Sequence, residues 1–285
     1  MVICELREKY SLEMLLDIAG LSKSTFYYAK SHLNYKADKD EALLEEIRRI
    51  FQENNCKYGY PRITIELQRR GYNVNKKRVA RIMKENNIRA TKKKRRYNSY
   101  KGTVGKLAPN ILERDFSTTG PYQKLGTDVT VFITPHGKLY LSPVIDFHTR
   151  EILAFDISEH PNMQQIRRML TRLITKHGDY LNGAILHSDQ GWQYQMLYYR
   201  KFLKEHDIVQ SMSRKGNCLD NSPTENFFGR LKTEMYYDKE YEFKSLAELR
   251  SNIRTYIKYY NQNRIVLKTK TTPTECREKF LESVI

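Results

Sequence analysis

The sequence predicts an α/β protein in two parts, an all-helical region followed by a mixed sheet flanked by helices. Up to residue 90, apolar residues recur at helical spacing, most clearly between residues 43 and 51. From Lys124 the pattern changes to short β-branched and aromatic runs, which are typical of strands. A length of 285 residues with 40% apolar content is enough for two domains with buried cores.

Residues 1–35 are predicted to be helical, with a candidate helix-turn-helix between residues 11 and 29. Leu15, Leu16 and Ile18 supply the apolar positions of a first helix, and Gly20 supplies the turn. Ser22 is suited to cap the second helix, because its hydroxyl can accept from an unpaired first-turn amide. An ordinary helical hairpin explains this segment equally well.

Residues 36–90 are predicted to form a helix-turn-helix-like DNA-binding domain of three helices. Pro61 would lie in the first turn of the second helix, where its missing amide hydrogen is harmless. Asn75 would cap the third helix. That helix carries five basic residues, Lys76, Lys77, Arg78, Arg81 and Lys84, of which the first four are the candidate DNA contacts. A basic helix fits a DNA groove or a phosphate track, and the alternative is a helical bundle with a charged face.

Residues 91–120 are predicted to be a basic linker. Its densest run is Lys92, Lys93, Lys94, Arg95 and Arg96. Residues 1–110 hold 25 Lys and Arg against 12 Asp and Glu, and so carry +13 of the net charge of +17. This asymmetry indicates a polyanionic partner for the first half. A lone lysine run is more often a solvated surface, so the interpretation as DNA contacts depends on the neighbouring helix-turn-helix candidates.

Residues 121–285 are predicted to form the α/β core with a helical tail. Three strand-like runs end near residues 133, 145 and 157, and an amphipathic helix follows over residues 162–177. A short buried strand, a helix over residues 192–206, another strand and a helix over residues 221–234 come next. Three antiparallel strands, a helix and then strand–helix alternation is the order of a ribonuclease H-like fold.

Three acids of this core are candidate catalytic and metal-binding residues: Asp128, Asp189 and Glu225. Asp128 lies in a predicted strand, Asp189 follows one, and Glu225 lies in a predicted helix. Open α/β sheets place their sites at strand ends. Carboxylates from two strands and a helix can converge on two divalent ions, a pair that stabilises phosphoryl transfer. Oxygen ligands alone suit Mg²⁺ or Mn²⁺ rather than zinc.

Each acid taken singly has a plainer explanation. An aspartate at a strand end is usually a turn or capping residue, and Asp146 is assigned such a structural role. Asp220 and Asn221 are interpreted as helix-start residues, and His187 as a packing residue. Trp192 fits base stacking or the core equally well. The catalytic interpretation therefore depends on three acids occurring together in long motifs.

Those motifs carry a resemblance to a known family. They are His-Ser-Asp-Gln-Gly at residues 187–191 and Asp-Asn-Ser-Pro-Thr-Glu-Asn-Phe-Phe at residues 220–228. The chain resembles bacterial insertion-sequence transposases of the DDE type. It is most similar to the second-reading-frame product of the insertion-sequence-three family, whose core is similar to retroviral integrase. The spacing from Asp189 to Glu225 matches that family, and the resemblance runs from about Ser11 to the C-terminus.

The resemblance implies a transposase that binds insertion-element ends and catalyses DNA strand cleavage and strand transfer. It also implies that the reaction depends on Mg²⁺ or Mn²⁺, with two ions expected at the site. Lys232 stands seven residues after Glu225, where the family has a basic residue, and is expected to contact a DNA phosphate. The resemblance also implies self-association on DNA and a partner protein made from an upstream reading frame. Leu125 and Gly126 depart from the family pattern, since many members have a tryptophan there, so we expect altered packing under Asp128.

Several classes of protein are disfavoured by the sequence. No apolar run is long enough to span a bilayer, and no secretion leader opens the chain. The four cysteines are scattered without paired metal spacing, so we expect a cytoplasmic, nucleoid-associated protein with reduced thiols. Two alternatives stay open: a catalytically inactive DNA-binding regulator, and a ribonuclease H-type nuclease. The complete set of acids argues against the first, and the basic helical half argues against the second.

Overall fold

The computed structural model describes residues 2–90, 107–214 and 218–284. The chain divides into two compact units, residues 1–91 and residues 92–285. The predicted basic run at residues 92–96 lies outside the described residues.

The first unit is all-helical, as predicted. Its helices are α1 (Val2–Leu6), α2 (Leu12–Ala19), α3 (Lys23–Glu53), α4 (Tyr60–Arg69) and α5 (Lys76–Glu85). Ser22 caps α3 by accepting from Thr25 N at 3.1 Å, and Asn75 caps α5 by accepting from Arg78 N at 2.9 Å. The predicted boundary at residue 36 falls inside α3, which is one continuous helix of 31 residues.

The core of the first unit lies between α3, α4 and α5. Ile47, Ile63 and Val79, one from each helix, are all 0% exposed. Burial of such side chains stabilises each helix by about 1.5–3 kcal/mol per residue. The packing leaves the N-terminal half of α5 on the surface, where Lys76 and Lys77 are exposed.

The second unit contains a six-stranded mixed sheet. Its strands are β1 (Lys124–Thr127), β2 (Thr130–Thr134), β3 (Gly137–Asp146), β4 (Ile152–Ser158), β5 (Ile185–Ser188) and β6 (Val209–Met212). β1 and β2 lie one after the other along one edge of β3, and β4 pairs with its other edge, all antiparallel. β5 and β6 continue the sheet in parallel with β1. The predicted ribonuclease H-like order of strands is confirmed.

Helices cover both faces of the sheet. They are α6 (Met163–His177), α7 (Trp192–Gln195), α8 (Leu197–Glu205), α9 (Ser222–Leu231), α10 (Leu246–Gln262) and α11 (Pro273–Val284). One core cluster joins α6 and α8 to Leu125 and Leu186, and a second joins α9 and α10 to Phe132 and Ile145. None of the described helices is both long enough and apolar enough to cross a membrane.

Two predicted helices differ from the structure. The predicted helix over residues 192–206 is broken at Met196, whose backbone is extended with φ −69° and ψ 145°. The predicted helix over residues 221–234 ends as α9 at Leu231 and continues as a π-helical turn, Lys232–Tyr236. Single-turn π segments occur often at functional sites, and this one carries Lys232.

Candidate active site

The sequence predicts Asp128 inside a strand, but the structure places it in the break between β1 and β2. Its Oδ1 accepts from Val129 N at 2.7 Å, a local bond that competes with the ladder between strands. The residue is only 7% exposed. Asp128 is therefore a buried carboxylate that lies outside the strand pairing on either side of it.

Asp189 directly follows β5, the parallel neighbour of β1. In the register of these two strands, Gly126 pairs with His187. Asp128 and Asp189 each stand two residues beyond that pair, so the sheet itself places them at the same end of adjacent strands. Asp189 Oδ1 accepts from Gly191 N at 2.8 Å, which orients the carboxylate within its loop.

Glu225 lies in the first turn of α9, a helix that packs closely on β1. A Cβ atom at Gly126 would stand 2.5 Å from Thr224 Oγ1, so only glycine permits this approach. Thr224 is the neighbour of Glu225, and Gly126 lies two residues before Asp128. The close packing therefore carries Glu225 toward the other two acids.

The three acids interact electrostatically. Burial, followed by the charges of Asp189 and Glu225, raises the pKa of Asp128 well above its ordinary value. Burial raises the pKa of Asp189, and burial together with the charge of Asp189 raises the pKa of Glu225. Within residues 2–90, 107–214 and 218–284, however, no three His, Cys, Asp or Glu side chains are grouped to hold a metal ion as they stand.

Lys232 is also close to this region. Its Nζ lies 5.4 Å from the centroid of the Phe132 ring, and the residue is only 9% exposed. Burial lowers the pKa of the ammonium group, while the charge of Asp128 acts in the opposite direction. Lys232 is therefore a buried side chain that interacts with Asp128 and not a solvated arm, and its contact to a DNA phosphate stays a prediction.

His187 and Asp146 are held by internal hydrogen bonds. His187 is 0% exposed, with Nδ1 2.8 Å from Ser211 Oγ and Nε2 3.2 Å from Ser213 Oγ, and burial lowers its pKa to about 4. The Asp146 carboxylate accepts from the backbone amides of Tyr122, His148 and Thr149 at 2.7–2.9 Å. Both residues therefore have the structural surroundings expected from the sequence.

Two buried tyrosines near the acids were not singled out from the sequence. Tyr194 and Tyr199 are each 0% exposed; the Tyr194 hydroxyl lies near the Thr127 side chain, and the Tyr199 hydroxyl has no hydrogen-bond partner among the described residues. The charges of Asp128 and Asp189 both raise the pKa of Tyr194, after burial as the main cause. Trp192 is 37% exposed and so does not belong to the core. The only sequence signal for Tyr194 was its place five residues after Asp189.

The proposed DNA-facing helix α5 presents two kinds of basic residue. Arg78 Nε and Arg81 Nη2 donate to Asp40 at 2.8 and 2.5 Å. Burial alone would raise the pKa of Asp40, but the hydrogen bonds from Arg81 and Arg78 hold it below its ordinary value. Lys76 and Lys77 are exposed. The two arginines therefore fasten α5 to α3, while the two lysines face solvent.

Three family descriptions match this chain. Residues 38–96 match an HTH-like domain, and residues 118–218 and 225–281 match two descriptions of an integrase core domain. The first match covers the second half of α3 together with α4 and α5, and the other two cover the sheet and most of the helices around it.

Relatives with a known name match over nearly the whole chain. A protein named as transposase InsK for insertion sequence element IS150 of Escherichia coli is 47% identical, covering 98% of this chain and 97% of that one. The transposase InsF for insertion sequence IS3A of Escherichia coli is 34% identical, covering 87% of each chain. Among solved structures, the HTLV-2 integrase catalytic core domain in complex with magnesium is 14% identical with a TM-score of 0.45, covering 56% of this chain and 99% of that one.

Proposed function

The chain belongs to the insertion-sequence-three family of transposases, and we propose that it binds the ends of its element and catalyses metal-dependent DNA cleavage and strand transfer with Asp128, Asp189 and Glu225. Family membership makes it a DNA-cleaving and DNA-transferring enzyme. The catalytic roles of these three acids and the dependence on a metal ion are what we propose, and one observation chiefly supports both. The ends of two adjacent strands and the first turn of one helix bring three partly or fully buried acids to one end of the sheet, where the charges of Asp189 and Glu225 add to burial in raising the pKa of Asp128, and the charge of Asp189 does the same for Glu225.

The donor set fits Mg²⁺ or Mn²⁺. Carboxylate oxygens are the ligands that these hard cations prefer, and partial burial of three negative charges is unfavourable until a cation neutralises them. One or two ions held here would stabilise the attacking and leaving oxygens of a phosphodiester.

The chain's own residues orient this chemistry. Backbone amides of Val129 and Gly191 hold the carboxylates of Asp128 and Asp189. The buried Lys232 ammonium supplies a positive charge beside Asp128. We assign it a contact to the DNA phosphate nearest the reacting bond, because a charge in a low-dielectric site interacts strongly. No covalent protein–DNA intermediate is required.

The first unit is proposed to bind the element ends. Lys76, Lys77, Arg78 and Arg81 would contact DNA from α5, and the basic run at residues 92–96 would add phosphate contacts. Phosphate contacts provide salt-dependent affinity without sequence readout. Self-association on paired ends and an upstream-frame partner protein belong to the same proposal.

The test is cleavage of labelled DNA carrying the terminal sequences of the element. Purified full-length protein with Mg²⁺ is expected to nick the 3′ ends and to join them to a second DNA, and EDTA is expected to abolish both reactions. A gel shift measures end binding separately. Binding without cleavage at any Mg²⁺ or Mn²⁺ concentration would support an inactive regulator. Cleavage of an RNA–DNA hybrid without end sequences would support a ribonuclease H-type nuclease.

A further inference from the structure

Asp220 has the most heavily bonded carboxylate near the proposed site. Its side chain is 0% exposed. Arg114 Nε and Arg214 Nη2 donate to Oδ1 at 2.8 and 2.9 Å. Arg214 Nε, Arg214 N and Asn110 Nδ2 donate to Oδ2 at 2.9, 3.1 and 3.1 Å. A carboxylate with this many donors, two of them guanidinium groups, is firmly fixed in place.

The location of Asp220 links it to Glu225. It lies in a short 3₁₀ helix, Cys218–Asn221, that leads directly into α9, and Glu225 follows five residues later. Asn221, at the N-cap position, makes no capping hydrogen bond, and both of its side-chain polar atoms are buried without a partner in the described part of the chain. The start of α9 is therefore held by Asp220 and not by a conventional cap.

The partners of Asp220 are attached to the sheet that carries the other two acids. Met212 N in β6 donates to Pro109 O at 3.2 Å, and Ile111 N donates to Ser211 Oγ at 3.0 Å. Residues 109–111 thus lie along the outer edge of β6. β6 pairs with β5, the strand that ends before Asp189. Asn110 and Arg114 consequently hold Asp220 in the same frame as Asp189.

We propose that Asp220 is a positioning residue, which fixes the start of α9 against the β6 edge and so sets where the Glu225 carboxylate stands relative to Asp128 and Asp189. This inference rests on the proposed function of those three acids. The packing of Phe227 and Leu231 holds the later turns of α9, and Asp220 anchors the segment that leads into the first turn, which carries Glu225. Replacing a residue that orients a metal ligand typically changes metal affinity or activity by about 10- to 100-fold.

The chain supplies a matched control in Asp156. This aspartate in β4 is 3% exposed and is likewise held by two arginines. Arg168 Nη2 and Arg172 Nη1 donate to it at 2.7 and 2.6 Å. β4 lies at the edge of the sheet opposite β6. Replacing Asp156 therefore breaks the same type of buried ion pair without disturbing the start of α9.

The experiment compares full-length Asp220→Asn, Asp156→Asn and Glu225→Gln proteins. Free Mn²⁺ is measured by its electron paramagnetic resonance signal in the absence of DNA, and 3′-end nicking is measured over a range of Mg²⁺ concentrations. Asp220→Asn is expected to weaken Mn²⁺ binding and to raise the Mg²⁺ concentration for half-maximal nicking, each by about 10- to 100-fold. Asp156→Asn is expected to lower thermal stability to a similar degree and to leave both metal readouts unchanged.

The outcomes separate this inference from the proposed function. If Glu225→Gln binds Mn²⁺ and nicks like the wild type, the proposed function is wrong. If Glu225→Gln is inactive while Asp220→Asn matches Asp156→Asn in both metal readouts, the positioning role alone is wrong. Should Asp220→Asn not fold, as judged by circular dichroism, Arg114→Gln removes one donor and leaves the Arg214 pair intact. It is then expected to shift both readouts in the same direction, and unchanged readouts would overturn the inference.

Discussion

Gly126 and Thr224 are in direct contact because Gly126 has no side chain. A Cβ atom at Gly126 would lie 2.5 Å from Thr224 Oγ1 and 2.5 Å from Cε1 of Phe147. Contacts this short do not occur between real carbon atoms and their neighbours, so any larger residue must displace α9 or the Phe147 ring. The relationship matters because α9 carries Glu225 immediately after Thr224, while β1 leads from Gly126 to Asp128.

Gly126→Ala is therefore expected to separate Glu225 from Asp128. The added methyl group should cost about 1–3 kcal/mol of stability, and a displacement near 1 Å should reduce nicking by about 100-fold. Gly229→Ala is the matched control, because Gly229 lies on the same helix and an added Cβ meets nothing within 4 Å. The free energy of unfolding of Gly229→Ala should rise by about 0.5–1 kcal/mol, and its nicking should match that of the wild type. Equal nicking by the two folded variants would contradict the packing argument.

Removing any one of the three carboxylates should abolish cleavage and spare binding. Asp128→Asn, Asp189→Asn and Glu225→Gln keep the size of the side chain but remove a negative ligand, and charge stabilisation supplies most of the rate in such reactions. The measurement is 3′-end nicking with Mg²⁺ beside a gel shift. Asp146→Asn is the control, since its carboxylate is occupied by three backbone amides. A folded but inactive Asp146→Asn protein would show that the acids have been chosen wrongly.

The raised pKa of Asp128 predicts a gain in stability when its charge is removed. The native state holds the Asp128 proton more tightly than the unfolded chain does. The free energy of unfolding therefore falls as pH rises above 3.8, the ordinary pKa of an aspartate. In EDTA, Asp128→Asn should melt at a higher temperature than the wild type near neutral pH, and the difference should shrink as pH falls toward 3.8.

Two comparisons check this stability prediction. Asp179→Asn, at an exposed aspartate, should leave the melting temperature unchanged across the same pH range. Added Mg²⁺ should raise the melting temperature of the wild type, because a ligand that binds only the native state stabilises it, and should have less effect on Asp128→Asn. If the Asp128→Asn protein melts at a lower temperature than the wild type at neutral pH in EDTA, the charge of Asp128 does not destabilise the native state.

The basic residues of α5 should separate into two classes. Lys76→Ala with Lys77→Ala should weaken end binding and reduce the slope of log affinity against log salt by about 0.9 for each DNA phosphate that is no longer neutralised. Stability should hardly change, because both side chains are exposed. Arg78→Ala with Arg81→Ala should also destabilise the first unit, since Asp40 loses the partners that hold its pKa low. An unaltered salt slope for the lysine variant would remove α5 from the DNA interface.

Much of the fold was predictable from local patterns. Apolar periodicity and capping residues such as Ser22 and Asn75 are short-range features, so the starts of α3 and α5 could be predicted, whereas the continuity of α3 through the predicted boundary at residue 36 could not. The order of strands and helices in the second unit was also predictable. The interruptions of two helices were not predictable. The helical spacing of apolar residues continues on both sides of Met196, and no short sequence pattern marks the π-helical turn at Lys232.

The sequence by itself determined the chemistry that we propose for this protein, because the identity of Asp128, Asp189 and Glu225, their motifs and the basic first half are properties of residue type and order. Only the tertiary structure decided how these residues meet. The β1–β5 register sets Asp128 beside Asp189, the bare Gly126 lets α9 approach, and Asp220 joins segments more than 100 residues apart in sequence. Such contacts depend on the packing of distant segments, and no local pattern of residues encodes them.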